Sequence, residues 1–362
     1  MAHSDDGGHQ NAHDYSTDVS HWSAVPNPNE TTPRPSRLRR WSRRLATVLV
    51  FVLVATGVWS IVRTFTAPPG VGHFRSAEGR EEYAGRYQEA MKELPTPTAT
   101  HDIQTDFGVV RVYEWSTPET RDTVPVVLVP GRSSGVPMWS ANLDGFAQMR
   151  RVLAFDALGD AGMSVQAAPL LSFEDQAAWI DQVLSELAPD GVHLVGHSFG
   201  GATAAVYARL HLKQVHSLTL LEPVFTFGYP PPGMLWWATI ATLPGMPEGF
   251  REHALGEIGG GEYDGTDPIA RMIGAGTEHF SAELPTPSRL SEEEAGQLTM
   301  PVYVAIAGQD SLAGGKRAAD RARDTLPDGH VRVWENATHS LPMQEAGPLS
   351  VFLDEFWTTA ES

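Results

Sequence analysis

The sequence predicts an α/β fold, a mostly parallel sheet flanked by helices, over residues 100–362, and three observations predict it. From about residue 101, β-type runs alternate with helix-type runs, the pattern of parallel strands joined by crossover helices. The stretch Val192-His-Leu-Val-Gly-His-Ser-Phe-Gly-Gly-Ala202 reads as an apolar strand entering a glycine-rich turn and then a helix. Near the end, the strand-like runs 301–307 and 330–334 are each followed by a helix-like run.

Residues 1–33 are rich in His, Asp, Asn, Ser and Pro without apolar periodicity, and with the basic segment ending at Arg44 they predict a disordered tail over 1–44. Nothing there would hold His3, His9, His13 and His21 in a fixed geometry, so no metal site is expected. Leu45 to Val62 carries no charge, and as a helix these residues would span about 27 Å. Six arginines precede the run. The positive-inside rule therefore predicts a single transmembrane helix over 45–62, with residues 1–44 cytoplasmic and everything after Arg63 outside. The alternative is export after signal cleavage, since Ser42-Arg43-Arg44 faintly resembles a twin-arginine signal. The long basic region and the lack of an A-x-A site favour an uncleaved anchor.

Residues 63–99 form a linker and an N-terminal helix. Ala67-Pro-Pro-Gly70 is a stiff break, and Ser76 to Leu94 is helical, with Ser76 as cap and Tyr83, Tyr87 and Met91 at four-residue spacing. Strands are expected at 102–105, 109–114, 125–129, 152–156, 192–196, 216–221, 301–307 and 330–334. Helices are expected at 173–188, 199–212, 314–325 and 345–358. Residues 225–290 break the rhythm with Gly, Pro and bulky apolar residues and read as an insertion between two parts of one core, 100–224 and 291–362.

The chain has a formal charge of −18, and residues beyond 44 hold 20 bases against 39 acids, which disfavours nucleic acid and anionic headgroups as partners. The absence of cysteine excludes disulfides, thiolate zinc sites and a Cys nucleophile.

The chemistry converges on Ser198. A nucleophile at a sharp strand-to-helix turn needs small neighbours, which Gly196 and Gly200 supply. A serine hydroxyl also needs a base and a group to orient it. His339, in Asn336-Ala-Thr-His-Ser340, lies between the last strand and the last helix. Asp310 follows the strand 301–307 directly, so Ser198, Asp310 and His339 are the expected triad. Glu222, at the end of the strand before the insertion, is the alternative acid. His197 reads as a packing residue facing away from the reacting carbonyl. The strand Val126-Val-Leu-Val129 and the loop Pro130-Gly-Arg-Ser-Ser-Gly135 suit an oxyanion hole made by the amides of Phe199 and Arg132.

Together the stretch from Val126 through Trp139, Asp156–Ser164, Gly196–Gly201, Gly308–Asp310 and Thr338–Met343 resembles the α/β-hydrolase superfamily over residues 100–358. It is most similar to bacterial carboxylesterases that place a Tyr-rich helix before the first strand. The resemblance implies the α/β-hydrolase fold with an eight-stranded sheet, a helical cap at 225–290, no cofactor, and hydrolysis of a small-molecule carboxylic ester. Pro130 departs from the family, in which His often precedes the oxyanion glycine and orients that loop. An acyltransferase or lyase on the same triad, or an inactive surface protein of this fold, are the other readings. Phe225, Phe227, Met234, Leu235, Trp236 and Trp237 would line an acyl pocket or form the cap's own packing face. The sequence is silent on oligomeric state.

Overall fold

Val126–Val129 and Val302–Ala307 are apolar at every position and lie wholly buried, as strands covered on both faces must be. They are central elements of the computed structural model, which describes residues 69–362 together with the isolated positions Trp41, Thr47, Val48 and Phe51. The expected disordered tail at 1–44 and transmembrane helix at 45–62 thus lie outside the described residues, apart from those positions. Among the described residues no helix is long and apolar enough to cross a membrane. By contact density the chain divides into residues 1–65 and 66–362, and the second unit holds everything that follows.

In chain order this unit runs through β1 (His73–Phe74), α1 (Ala77–Ala90), β2 (Ala99–Thr105), β3 (Gly108–Trp115), β4 (Val126–Val129), α2 (Ser140–Met149) and β5 (Val152–Phe155). It continues with β6 (Val165–Gln166), α3 (Phe173–Leu187), β7 (Val192–His197), α4 (Phe199–Leu210) and β8 (Val215–Leu221). Three helices fill the interval before the last strands: α5 (Pro232–Thr242), α6 (Glu248–Gly259) and α7 (Pro268–His279). The chain closes with β9 (Phe280–Ser281), α8 (Glu292–Gly296), β10 (Val302–Ala307), α9 (Gly315–Thr325), β11 (Gly329–Trp334), α10 (Leu341–Gln344) and α11 (Ala346–Ala360).

The main sheet has the order β11-β10-β8-β7-β4-β5-β3-β2, parallel from β11 to β5 and antiparallel at β3 and β2. The two-residue β6 pairs with β3 and makes nine strands where the family resemblance implies eight. β4 has β5 on one side and β7 on the other, so the winding reverses there. In such sheets the crevice at the carboxyl ends of the strands flanking the reversal is where ligands bind.

Helices cover both faces. Trp179 and Ile180 of α3, Tyr207 of α4 and Ala322 of α9 pack on one; Tyr83 of α1, Phe146 of α2 and Trp357 of α11 pack on the other. Each large side chain so buried contributes roughly 1.5–3 kcal/mol. Ser76 caps α1 as its position predicts, its hydroxyl accepting the Gly79 amide at 3.0 Å, and a 3₁₀ turn at Met91–Glu93 tightens the helix before Pro95.

A buried imidazole ties the sheet to the last helix. His193 of β7 is fully buried, with Nδ1 2.8 Å from Ser217 Oγ and Nε2 3.0 Å from Glu361 Oε1. Burial pushes its pKa down to about 4, helped by Arg150 and His216 and opposed by Glu361. Neutral His193 therefore donates to Glu361 and accepts from Ser217. Above the unfolded value near 6.5 this stabilisation is complete; as pH falls from 6.5 toward 4 the unfolded chain takes up a proton that the fold refuses, and stability drops. The expected loss is on the order of 3 kcal/mol. Urea midpoints measured from pH 7 to pH 4 should fall less steeply in His193→Asn than in wild type. Parallel curves would show that His193 is not the linked group. Asp156 and Asp160, raised by burial, act in the opposite sense but are common to both proteins.

Candidate active site

At the carboxyl end of β7 the chain reverses into α4 through Ser198, whose φ of 55° and ψ of −121° are sparsely populated for a residue with a side chain. Its backbone is pinned on both sides: its amide donates to Leu221 O at 3.1 Å and its carbonyl accepts the amides of Gly201 and Val224. Close approach explains the flanking glycines. A Cβ on Gly196 would lie 2.5 Å from Gly200 O and 2.8 Å from Ala204 Cβ, and one on Gly200 would meet the carbonyls of Val129 and Pro130.

The turn sets Ser198 Oγ 3.0 Å from His339 Nε2, and His339 Nδ1 stands 3.0 Å from Glu222 Oε2. A carboxylate only accepts, so Nδ1 carries the ring proton and Nε2 presents its lone pair to the serine hydroxyl. Glu222 is fully buried, and its φ of 48° turns the chain at the end of β8. Its Oε1 accepts from Ala307 N at 2.7 Å and Ser311 Oγ at 2.8 Å, while Oε2 also receives Ala313 N at 3.3 Å. Buried charge needs such partners.

Asp310 does not occupy the position expected of it. It is exposed, and its carboxylate makes no hydrogen bond among the described residues. The loop after β10 instead turns the Ser311 hydroxyl and the Ala313 amide toward Glu222, so it holds the acid rather than supplying it. The acid beside His339 is Glu222, the alternative named from the sequence.

His197 is more than packing. Its Nε2 hydrogen-bonds the carbonyl of His339 at 3.0 Å, fixing the loop that carries the imidazole. Burial and then the neighbouring His339 lower its pKa to about 3, which keeps a second positive charge away from the site. The same ring packs under the oxyanion loop, since a Cβ on Gly131 would be 3.0 Å from His197 Nδ1 and 3.2 Å from Ser198 Cβ.

Two buried carboxylates, which the sequence reading did not single out as site residues, shape that loop. Asp160 accepts the amides of Ser133 and Ala161 at 2.7 and 2.8 Å, and Asp156 accepts those of Val136 and Met163 at 2.8 and 2.7 Å. Burial raises both pKa values, against these amide contacts. Ser133 and Gly135 take positive φ of 57° and 53°. With those amides engaged, the amide of Arg132 has no acceptor among the described residues. Phe199 opens α4, so its amide has no carbonyl one turn behind it. The Arg132 guanidinium lies over the Phe199 ring at 5.7 Å, so the side chains of the two residues expected to supply the oxyanion donors are in contact. The loop thus sits against the elbow, with Pro130 leading into Gly131, whose Cβ position would fall 3.2 Å from Ser198 Cβ.

The helices of 225–290 join this site at two points. Gly259 O at the end of α6 accepts from Thr338 Oγ1 at 2.6 Å and Ser340 Oγ at 2.9 Å, on either side of His339. Met234 of α5 packs on Val224 and Leu312, with Phe225 and Ile258 around them. The six apolar residues named as a pocket or packing face divide. Phe227 belongs to the sheet core, Met234 packs inward, Trp237 stands edge-on to His253, and Leu235 and Trp236 are exposed. Among the described residues no cluster of three His, Asp or Glu is placed to hold a metal ion.

Comparison with known proteins agrees with this architecture. Residues 124–257 match a family model described as the alpha/beta hydrolase fold. The carboxylesterase YbfK of Bacillus subtilis (strain 168) is 23% identical over 279 residues, covering 75% of this chain and 92% of its own. The uncharacterized carboxylesterase nap of the same organism is 24% identical over 271 residues, 73% of this chain and 88% of its own. The crystal structure of carboxylesterase CesB (YbfK) from Bacillus subtilis superposes with a TM-score of 0.71 at 20% identity, over 77% of this chain and 98% of that one. Sheet order, elbow, the family match over 124–257 and the likeness to solved structures together give the chain the α/β-hydrolase fold, and in sequence it resembles bacterial carboxylesterases.

Proposed function

We propose that the chain is a serine carboxylesterase working through an acyl-enzyme, with Ser198 as nucleophile, His339 as base and Glu222 as the acid that orients it. The observation that carries this reading is the relay from Ser198 Oγ to His339 Nε2 and from Nδ1 to Glu222, each contact 3.0 Å long. His339 takes the hydroxyl proton as Oγ attacks the ester carbonyl, and the Phe199 and Arg132 amides hold the negative oxygen. His339 then protonates the departing alcohol. Water, deprotonated by the same nitrogen, attacks the acyl carbon and frees Ser198. The Glu222 carboxylate, held by Ala307 N, Ser311 Oγ and Ala313 N, keeps the ring oriented and stabilises the imidazolium as it forms. The names of the Bacillus relatives support an ester substrate.

A fluorophosphonate probe should label wild type and not Ser198→Ala, and hydrolysis of p-nitrophenyl esters should fall with it by about 10³-fold or more. Failure of the folded wild type to react would leave a non-catalytic member of the fold. The anchor at 45–62 and a catalytic domain outside the cytoplasm belong to the same proposal and rest on the Arg-flanked apolar run alone. A C-terminal reporter active only in the cytoplasm should be silent; activity there would refute the placement.

A further inference from the structure

Between Glu222 and Glu248 the chain contains no Asp, Glu, Lys, Arg or His, in a protein whose formal charge is −18. The apolar residues of this stretch are not all covered. Trp236 is 60% exposed, Leu235 and Leu243 are also exposed, and Phe250 near the start of α6, the next helix, is 62% exposed. Leu235, Thr239 and Leu243 follow one another at four-residue spacing along one stripe of α5 and the turn after it. Thr239 and Thr242 donate their hydroxyls to the carbonyls of Leu235 and Ala238, so the helix satisfies these groups internally and needs no water for them. An exposed stripe of α5 without charge, with its hydroxyls spent on its own backbone and with Trp236 beside it, has the chemistry of a membrane-interface surface.

We infer that the outer face of α5, with Phe250 of α6, rests on a zwitterionic lipid surface, and that the esterase takes lipid-dissolved esters from it. This goes beyond ester hydrolysis; it rests on that reading for the substrate and on the proposed anchor at 45–62 for nearness to lipid. Charge selects the lipid: Glu248, Glu252 and Glu257 along α6 and the acidic domain behind them disfavour an anionic surface. Chain length supplies the proximity. Only residues 63–68 separate the apolar run ending at Val62 from the described domain, a reach of roughly 20 Å. The same two helices touch the reactive centre through Met234 against Val224 and through Gly259 against Thr338 and Ser340. A substrate leaving the lipid there arrives beside His339.

The absence of cysteine allows a direct test. Full-length protein is reconstituted in phosphatidylcholine vesicles carrying a nitroxide lipid, with an NBD fluorophore on Trp236→Cys or, as control, on Val351→Cys of α11, which is 77% exposed. The probe at 236 should shift to the blue and be quenched by the nitroxide, while the probe at 351 should do neither. A water-like probe at 236 overturns the inference. So does a blue-shifted but unquenched one, which would place a second copy or another protein on this face, and so does equal quenching at 351. An equal or stronger response on phosphatidylglycerol vesicles overturns the choice of a zwitterionic surface. Trp236→Ser combined with Phe250→Ser should slow hydrolysis of a long-chain ester in the vesicles roughly tenfold and leave p-nitrophenyl acetate turnover unchanged. If wild type fails to hydrolyse even p-nitrophenyl acetate, the esterase reading falls while the probe result stands.

Discussion

Glu222→Gln is expected to lower kcat/KM by about 10³ to 10⁴-fold, and Asp310→Asn to leave it within about twofold of wild type. Four donors converge on Glu222: Ala307 N and Ser311 Oγ on one oxygen, Ala313 N and His339 Nδ1 on the other. A Gln amide cannot accept all four. With its NH₂ toward His339, it forces the ring into the tautomer that carries a proton on Nε2, facing Ser198, and that nitrogen can no longer take the hydroxyl proton. With its NH₂ toward Ala307, two N–H groups oppose each other in a buried place, at a cost of about 1–3 kcal/mol. Either way the negative charge that stabilises the imidazolium is gone. Asp310 is exposed, so its change should leave both the thermal midpoint and the rate of fluorophosphonate labelling untouched. An Asp310→Asn enzyme as slow as Glu222→Gln would mean that the acid works from the later loop after all.

That distinction is where the sequence stops being legible. Leu220-Leu-Glu222 and Ala307-Gly-Gln-Asp310 both end strands at the same edge of the sheet, so pattern alone supplies two carboxylates. Both carboxylates sit on left-handed turns, with φ of 48° and 42°, so local conformation does not choose between them. The choice is made by a long-range cradle: Ala307 N, Ser311 Oγ and Ala313 N all donate to Glu222, while Asp310 stays exposed. His197 is hidden for a similar reason: its bond to the His339 carbonyl spans 142 residues of sequence. The eight principal strands were easier to read, because β-branched apolar runs such as Val126–Val129 admit few other interpretations. The two-residue strands β1, β6 and β9 have no run to read and exist through their partners. Helix α2 escapes notice because Gly145 and buried Asn142 interrupt its apolar stripe. Asn142 is tolerated there because its side-chain amide reaches Pro342 O at 2.8 Å.

Gly200→Ala should separate ordinary helix propensity from the demands of the elbow. In an open helical position the change stabilises by up to about 1 kcal/mol, and Gly249→Ala in α6, where an added Cβ meets nothing within 4 Å, is expected to do so. At Gly200 the same methyl would lie 2.5 Å from the Val129 carbonyl and against that of Pro130, backbone atoms at the end of a central strand that cannot swing aside. Overpacking of this kind costs about 1–3 kcal/mol, so the urea midpoint should fall rather than rise. Activity should suffer more than stability. Whatever pushes Pro130 away from α4 also carries Gly131 and Arg132 with it, and displacing an oxyanion donor by about 1 Å is enough to cost roughly 100-fold in kcat. Binding groups remote from the elbow are untouched, so KM should change little while kcat falls. A Gly200→Ala enzyme with wild-type kcat would show that the oxyanion loop is not held where Val129, Pro130 and the elbow place it.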